Sequence, residues 1–157
     1  MKYVNEALSE QKKKQQLSGE DDKSILYNDL DTESSDIDKE YEINKQVFQK
    51  LDSLIRRDEL YLSADLSRED LVRMAHMNNT RFAKMIKENT GTNLSGYINE
   101  LRLNHAIHLL KEHPEYTLRA IAEASGINSM PTFHSLFKNK TGMTPSEFKK
   151  TQIDMKQ

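Results

Sequence analysis

Three histidines in the C-terminal half are the first residues whose type and spacing suggest chemistry. His105 and His108 are three positions apart, which places them about one turn apart on a helix, and His113 follows them closely. A zinc site would need further ligands beside such a pair. The chain has no cysteine, and no tight carboxylate cluster accompanies these histidines. We therefore expect ordinary core or surface histidines, no bound metal and no cofactor.

Patterns that indicate catalysis are absent from the sequence. It has no Gly-rich phosphate loop, no nucleophile elbow and no acid paired with an obvious base. The lack of cysteine removes thiol nucleophiles and suits a reducing cytoplasm. No apolar run approaches the roughly 20 residues that cross a bilayer. The sequence predicts a soluble cytoplasmic protein that is not an enzyme and has no membrane segment.

Charge is distributed unevenly along the chain. Residues 1–60 carry 10 Lys and Arg against 15 Asp and Glu, whereas residues 61–157 carry 13 against 10. The acidic part also has few large apolar side chains, so it buries too little surface to offset the entropy lost on folding. We expect a largely disordered acidic tail or linker at residues 1–40, one folded domain at residues 41–150 and a short C-terminal tail at residues 151–157.

The folded part has the apolar periodicity of helices and no strand pattern of useful length, which predicts an all-α fold. A first helix from Tyr41 to about Asp58 is indicated by apolar residues on one face, namely Ile43, Val47, Leu51, Leu54 and Ile55. Further helices are expected at Ser67 to Ala75, Asn79 to Asn89, Ser95 to His113, Thr117 to Ser125, from Ser129 onwards, and at Ser146 to Lys150. Their expected N-caps include Ser67, Thr117 and Ser129.

An internal repeat organises these helices. Residues 81–97 align with residues 132–148 without a gap at an offset of 51 positions. The paired residues include Phe82 and Phe133, Ile86 and Phe137, Thr90 and Thr141, and Gly91 and Gly142. Each copy is a short helix, a turn of three or four residues and a second helix, which is the geometry that lets the second helix enter a DNA major groove. Periodicity alone leaves open a helical hairpin repeat that packs only against itself.

Residues in the second copy carry a resemblance to a known family. Residues 118–127 (LRAIAEASGI) are followed in order by Thr132-Phe133, Phe137-Lys138 and residues 141–148 (TGMTPSEF). This pattern closely resembles the signature of the AraC/XylS family of bacterial transcription regulators. Between the copies, Arg102-Leu103, Ala106 and Leu109-Leu110 resemble the linker helix of that family. The resemblance covers about residues 41–150.

The resemblance implies an architecture and a function. Two helix-turn-helix subdomains would be joined by a long linker helix, with both recognition helices in successive major grooves on one face of double-stranded DNA. The protein would be a sequence-specific transcription regulator that recruits or obstructs RNA polymerase. Because the family usually carries a separate sensing domain, we expect either the output end of a longer sensor or a free-standing small regulator.

The same alignment assigns the outward positions of both recognition helices to base edges. They are Thr80, Arg81, Ala83 and Lys84 in the first subdomain, and Met130, Pro131, Thr132, His134 and Ser135 in the second. Arg81 and Lys84 can donate to guanine O6 and N7, whereas the readers of the second subdomain are shorter. Phosphate contacts are expected from Lys87, Ser129, Lys138 and Lys140, although any one lysine could instead be a solvated helix end.

Two departures from the family pattern fall in the first subdomain. His76 occupies the turn position that Gly126 holds in the second copy, and Val72 stands where the second copy has the small Ala122. They predict a less regular first subdomain. An alternative function is a helical protein-interaction or signalling module that forms a homodimer through the helix at residues 41–58.

Overall fold

The computed structural model describes the backbone of residues 22–157 and the side chains of residues 34–157. Within this part the chain is helical and contains no strand, which confirms the all-α fold. Its elements are α1 (Asp22–Arg57), a 3₁₀ turn (Leu60–Leu62), α2 (Arg68–Ala75), α3 (Asn79–Thr90), α4 (Leu94–Glu112), α5 (Leu118–Ala124), α6 (Met130–Thr141) and α7 (Pro145–Lys156). None of these helices combines the length and the apolar character that a membrane span requires.

Helix α1 is longer than the sequence predicted. It begins at Asp22 rather than at Tyr41, because no proline or glycine between residues 22 and 57 interrupts the helical hydrogen bonding. The chain divides within this helix into two regions, residues 1–43 and residues 44–157. The sequence predicted a largely disordered tail at residues 1–40, whereas the backbone of residues 22–40 is helical. The prediction for residues 1–21 lies outside the described residues.

The first core joins α1, α2, α3 and the N-terminal half of α4. Its buried residues are Leu51, Ile55, Leu71, Ala75, Phe82, Met85, Ile86, Tyr97, Ile98 and Leu101. Leu51 and Ile55 of α1 are among them, so the face that could have formed a dimer seam is used inside the domain. Ile43, which the sequence placed on this face, is 52% exposed, whereas Asn44 is only 1% exposed. The N-terminal part of the buried face therefore carries Asn44 in place of the predicted Ile43.

The second core joins the C-terminal half of α4 to α5, α6 and α7. Its buried residues are Leu103, Ala106, Leu110, Ile121, Ala122, Ile127, Phe133 and Phe137, with Phe148 packed against them. Leu101 and Leu103 of α4 are two positions apart, so they point about 200° apart around the helix. One faces the first core and the other the second. The predicted linker helix thus serves both helix-turn-helix subdomains.

The ends of α3 and α6 repeat each other in atomic detail. Thr90 donates from its hydroxyl to the Ile86 carbonyl at 2.7 Å, and Thr141 donates to the Phe137 carbonyl at 2.8 Å. Gly91 and Gly142 then terminate the helices with φ values of 74° and 78°. Only glycine adopts this left-handed conformation without strain, which explains the paired Thr-Gly in the sequence. The internal repeat is therefore a repeat of structure.

The turn of the first subdomain has the same left-handed backbone conformation as the turn of the second, although a different residue occupies it. His76 has φ 52° and Gly126 has φ 79°, so both lie in the left-handed region. The sequence predicted an irregular first subdomain because a histidine is strained there. The backbone conformation is instead retained, and the strain is carried by His76.

Two further predicted helix boundaries differ from the structure. Helix α4 begins at Leu94 because the side chain of Asn93 accepts from the Gly96 amide at 2.9 Å, which makes Asn93 the N-cap. Helix α7 continues to Lys156, so the predicted tail at residues 151–157 is almost entirely helical. Lys149 and Lys156 of α7 donate to the carbonyls of Tyr116 and Glu112, and these bonds hold the extension against the end of α4.

Candidate nucleic-acid interface

Helix α3 has one buried face and one exposed face. Its N-cap is Asn78, whose side chain accepts from the Arg81 amide at 2.8 Å. The apolar face is fully buried in the first core through Phe82, Met85 and Ile86. The opposite face is exposed and carries four of the predicted DNA contacts, which are Thr80, Ala83, Lys84 and Lys87. An arrangement of this kind can hold a helix rigidly while its polar face enters a groove.

Arg81 differs from its exposed neighbours because it is half-buried and already bound to another side chain. Its Nε atom donates to Oδ1 of Asn44 on α1 at 2.8 Å. Sequence reasoning did not single out Asn44. The available signal was its position seven residues before Leu51 and eleven before Ile55, which places a polar residue on the buried face.

The lysines of α3 make only weak contacts within the protein. Lys84 Nζ lies 3.9 Å from a carboxylate oxygen of Glu88, one turn further along. Lys87 Nζ donates to the Gly91 carbonyl at 2.8 Å, at the exposed C-terminal end of the helix. The exposed ion pair of Lys84 contributes at most about 1 kcal/mol, and the bond from Lys87 lies where water can replace it. Both ammonium groups can therefore exchange these partners for DNA at little cost.

Helix α6 presents a shorter set of polar groups. Its N-cap is Ser129, which accepts from the Thr132 amide at 3.3 Å and from the Thr132 hydroxyl at 3.0 Å. Pro131 lies in the first turn, where its fixed φ favours helix initiation. Pro131, Thr132 and Ser135 are exposed on the side opposite the buried Phe133 and Phe137.

Two predicted readers of α6 are partly engaged inside the protein. Met130 is half-buried and packs against the second core. His134 is also half-buried, and its ring makes an edge-to-face contact with Phe133 at a centroid distance of 6.2 Å. Met130 and His134 therefore have less exposed surface for a DNA contact than Pro131, Thr132 and Ser135.

The last turn of α6 carries the two lysines predicted to contact phosphates. Lys138 and Lys140 are exposed, together with the N-cap Ser129 at the other end of the helix. The ammonium group of Lys140 forms an ion pair with Glu100 of α4. A phosphate contact by Lys140 would therefore compete with the carboxylate of Glu100. The side chain of Lys138 is exposed at the surface.

The histidines that first suggested a metal site lie apart from these faces. Within the described residues, no three His, Asp or Glu side chains are grouped so that they could hold a metal ion. His105 is half-buried and its ring makes an edge contact with Tyr61 at a centroid distance of 6.2 Å. Burial lowers the pKa of His105, with a smaller opposing effect from Glu59.

Comparison with known proteins agrees with this geometry. Residues 71–151 match the family model described as a helix-turn-helix domain. The chain is 39% identical over 80 residues to a Bacillus subtilis protein described as the uncharacterized transcriptional regulatory protein YesN, covering 50% of this chain and 22% of that protein. It is 31% identical over 91 residues to the B. subtilis HTH-type transcriptional regulator YobQ, covering 58% of this chain and 37% of that protein.

The fold is also found among solved structures. A transcriptional regulator of Chromobacterium violaceum, described as an AraC-type DNA-binding domain-containing protein, matches with a TM-score of 0.59 and 27% identity. That match covers 69% of this chain and 93% of the other chain. The chain spans less than two fifths of the length of either B. subtilis relative. From the family match and the shared fold, this chain belongs to the AraC-type helix-turn-helix family of transcription regulators.

Proposed function

We propose that residues 41–150 form the DNA-binding output domain of a sequence-specific transcription regulator. The observation that carries this proposal is the repeated helix with one face locked in a core and the other exposed. Helices α3 and α6 each begin at an N-cap whose side chain accepts a backbone bond, bury at least one phenylalanine and end in Thr-Gly. A protein with two such helices can place them in successive major grooves, about 34 to 36 Å apart along the duplex.

The two subdomains would divide the work of recognition. In the first, Arg81 and Lys84 would donate to guanine O6 and N7, with Thr80 and Ala83 packed against neighbouring base edges. In the second, Thr132 and Ser135 offer only short hydroxyl groups, so fit and phosphate contacts would contribute more. The proposed phosphate contacts are Lys87, Ser129, Lys138 and Lys140.

The charge distribution supports a DNA partner for the C-terminal part of the chain. Residues 61–157 have an excess of 3 positive charges, whereas residues 1–60 have an excess of 5 negative charges. Association with DNA depends strongly on such an excess, because each neutralised phosphate releases counterions. The protein would bind DNA and would not catalyse a reaction. It would act in the cytoplasm, where bacterial DNA is found.

Further partners follow from the proposed role. A regulator that occupies a promoter acts by recruiting or obstructing RNA polymerase, so we propose the polymerase as the downstream partner. The relatives are several times longer than the matched segment, so a sensing domain or a second copy of the chain would supply the control.

A binding titration tests the proposal. Fluorescence anisotropy would compare a duplex selected from a randomised pool by the chain itself with a scrambled duplex of equal length. We expect tighter binding to the selected duplex by at least about 1,000-fold, and a linear fall of log K with log salt concentration. Equal affinity for both duplexes, or an affinity independent of salt, would overturn the proposed function.

A further inference from the structure

Asn44 is a polar residue at a buried position of α1. Its side chain is 1% exposed and lies on the face of α1 that also carries Leu51 and Ile55. Burial removes water from both Oδ1 and Nδ2 of the amide, which is unfavourable unless each atom forms a hydrogen bond within the protein. Only one end does so. Nδ2 has no hydrogen-bond partner among the described residues.

The satisfied end of this amide is bound to the proposed base reader. Oδ1 accepts from Nε of Arg81 at 2.8 Å, across 37 positions of sequence. Since Nε of arginine can only donate, its partner must be the amide oxygen, which fixes the orientation of the Asn44 side chain. An unsatisfied buried donor costs about as much as a hydrogen bond from a charged group returns, so the net contribution of the Asn44 amide to stability is small.

We propose that Asn44 is a positioning residue that sets the sequence specificity of the first subdomain by orienting Arg81. This inference rests on the proposed function in DNA binding. A guanidinium is a rigid plane with five N–H donors, so one bond at Nε directs the whole plane. Pre-ordering a long flexible side chain also lowers the entropy that is lost when it contacts a guanine.

The second subdomain supports this interpretation by a parallel contact. Thr132 stands at the position of α6 that corresponds to Arg81 in the 51-residue repeat. Its hydroxyl donates to the Ser129 hydroxyl at 3.0 Å. The residue at this point of each recognition helix is therefore held by a neighbouring side chain. A short threonine is held by its own N-cap, whereas a long arginine needs an acceptor from another helix.

Two substitutions separate orientation from charge. Asn44→Ala removes the acceptor of the bond that Nε of Arg81 donates, and with it the constraint that this bond places on the guanidinium plane. Asn44→Asp keeps an acceptor for Nε and replaces the unpartnered nitrogen by an oxygen, at the cost of a negative charge near the DNA. Gln46→Ala, an exposed neighbour on α1, is the matched control. Each variant would be titrated with the selected and scrambled duplexes and with selected duplexes carrying single base changes.

We expect Asn44→Ala to lower the preference for the selected duplex by about 5- to 30-fold, confined to the base pairs that Arg81→Ala also affects. Its melting temperature should stay close to that of the wild type, because the loss of the bond to Arg81 is offset by removal of the unpartnered Nδ2. In an Arg81→Ala background, Asn44→Ala should have no further effect on DNA preference. Asn44→Asp should keep the base preference while weakening both duplexes alike, and Gln46→Ala should match the wild type.

Several outcomes would overturn the inference. If Asn44→Ala retains the base preference, or binds the selected duplex more tightly, Asn44 does not position a reader. If it destabilises the fold and weakens both duplexes equally, its contact with Arg81 is structural. These outcomes leave the proposed function intact when the wild type still discriminates between the duplexes. Failure of the wild type to discriminate refutes both.

Discussion

Gly126, in the turn between α5 and α6, lies directly against the backbone of Tyr61, in the loop that precedes α2. A β-carbon at Gly126 would lie 2.8 Å from the carbonyl oxygen of Tyr61 and 2.9 Å from that of Leu62. Arg102 of the linker helix donates from Nε to the Tyr61 carbonyl at 2.6 Å and from Nη2 to the Ser63 carbonyl at 2.8 Å. Both subdomains and the linker helix therefore meet at one point, which restricts how the subdomains rotate relative to each other.

Substitution of Gly126 tests this contact. Gly126→Ala is expected to lower the free energy of unfolding by about 2 to 4 kcal/mol, because the methyl group meets two carbonyl oxygens and alanine is strained in the left-handed conformation. Gly142→Ala is the matched control, since Gly142 has nearly the same φ but no atom within 4 Å of an added β-carbon. It should lose only about 1 to 2 kcal/mol. Similar losses in urea denaturation would show that the subdomains do not meet closely at Gly126.

His76 offers the opposite test, because strain can be removed there. His76→Gly is expected to raise the free energy of unfolding by about 0.5 to 1 kcal/mol, since relief of the left-handed strain exceeds the added entropy of an unfolded glycine. The side chain is exposed, so little packing is lost. His76→Ala keeps a β-carbon and should show no such gain. If His76→Gly is no more stable than His76→Ala, the backbone of His76 is not strained in the folded protein.

Burial of His105 predicts a dependence of stability on pH. Because the pKa of His105 is lowered in the folded state, the unfolded state binds more protons as the pH falls through about 6.5. The stabilisation from neutral His105 is therefore present above this pH and is lost below it. His105→Gln should reduce the loss of unfolding free energy between about pH 7.5 and about pH 5.5. His108→Gln leaves the half-buried ring of His105 in place and removes only a minor cause of its lowered pKa, so it should retain most of the loss. An identical pH profile for His105→Gln and the wild type would refute the assignment.

Much of the fold followed from local patterns in the sequence. The N-caps at Ser67, Thr117 and Ser129 were predicted correctly, since a capping side chain bonds an amide only a few positions away. The repeat was predicted from paired core residues such as Phe82 and Phe133. Both are completely buried, because the same packing problem recurs in each subdomain.

Contacts between distant segments could not be predicted in the same way. Tyr97 donates to a carboxylate oxygen of Asp52 across 45 positions, and Arg102 reaches the loop at Tyr61 across 41 positions. Such partners depend on how helices cross, which periodicity does not specify. The N-terminal part of the buried face of α1 shows this limit most clearly. The spacing of apolar residues favoured Ile43 on the buried face, whereas contact with α3 places Asn44 there.

The two classes of DNA contact make separable predictions. Arg81→Ala and Lys84→Ala should relax base preference in one half of the selected site, because each lost guanine contact removes about 1 to 3 kcal/mol of discrimination. Lys138→Ala should instead weaken selected and scrambled duplexes equally and reduce the slope of log K against log salt concentration by about 0.9, the contribution of one phosphate.

Anisotropy titrations of these variants across a salt series would separate the effects, with Lys50→Ala as a control for the loss of one exposed positive charge on α1. Lys50→Ala should leave the base preference unchanged. Its effect on the salt slope should be smaller than that of Lys138→Ala. Equal losses on both duplexes for Arg81→Ala and Lys84→Ala would show that these side chains contact phosphates only. The exposed face of α3 would then position the protein on DNA without reading its sequence.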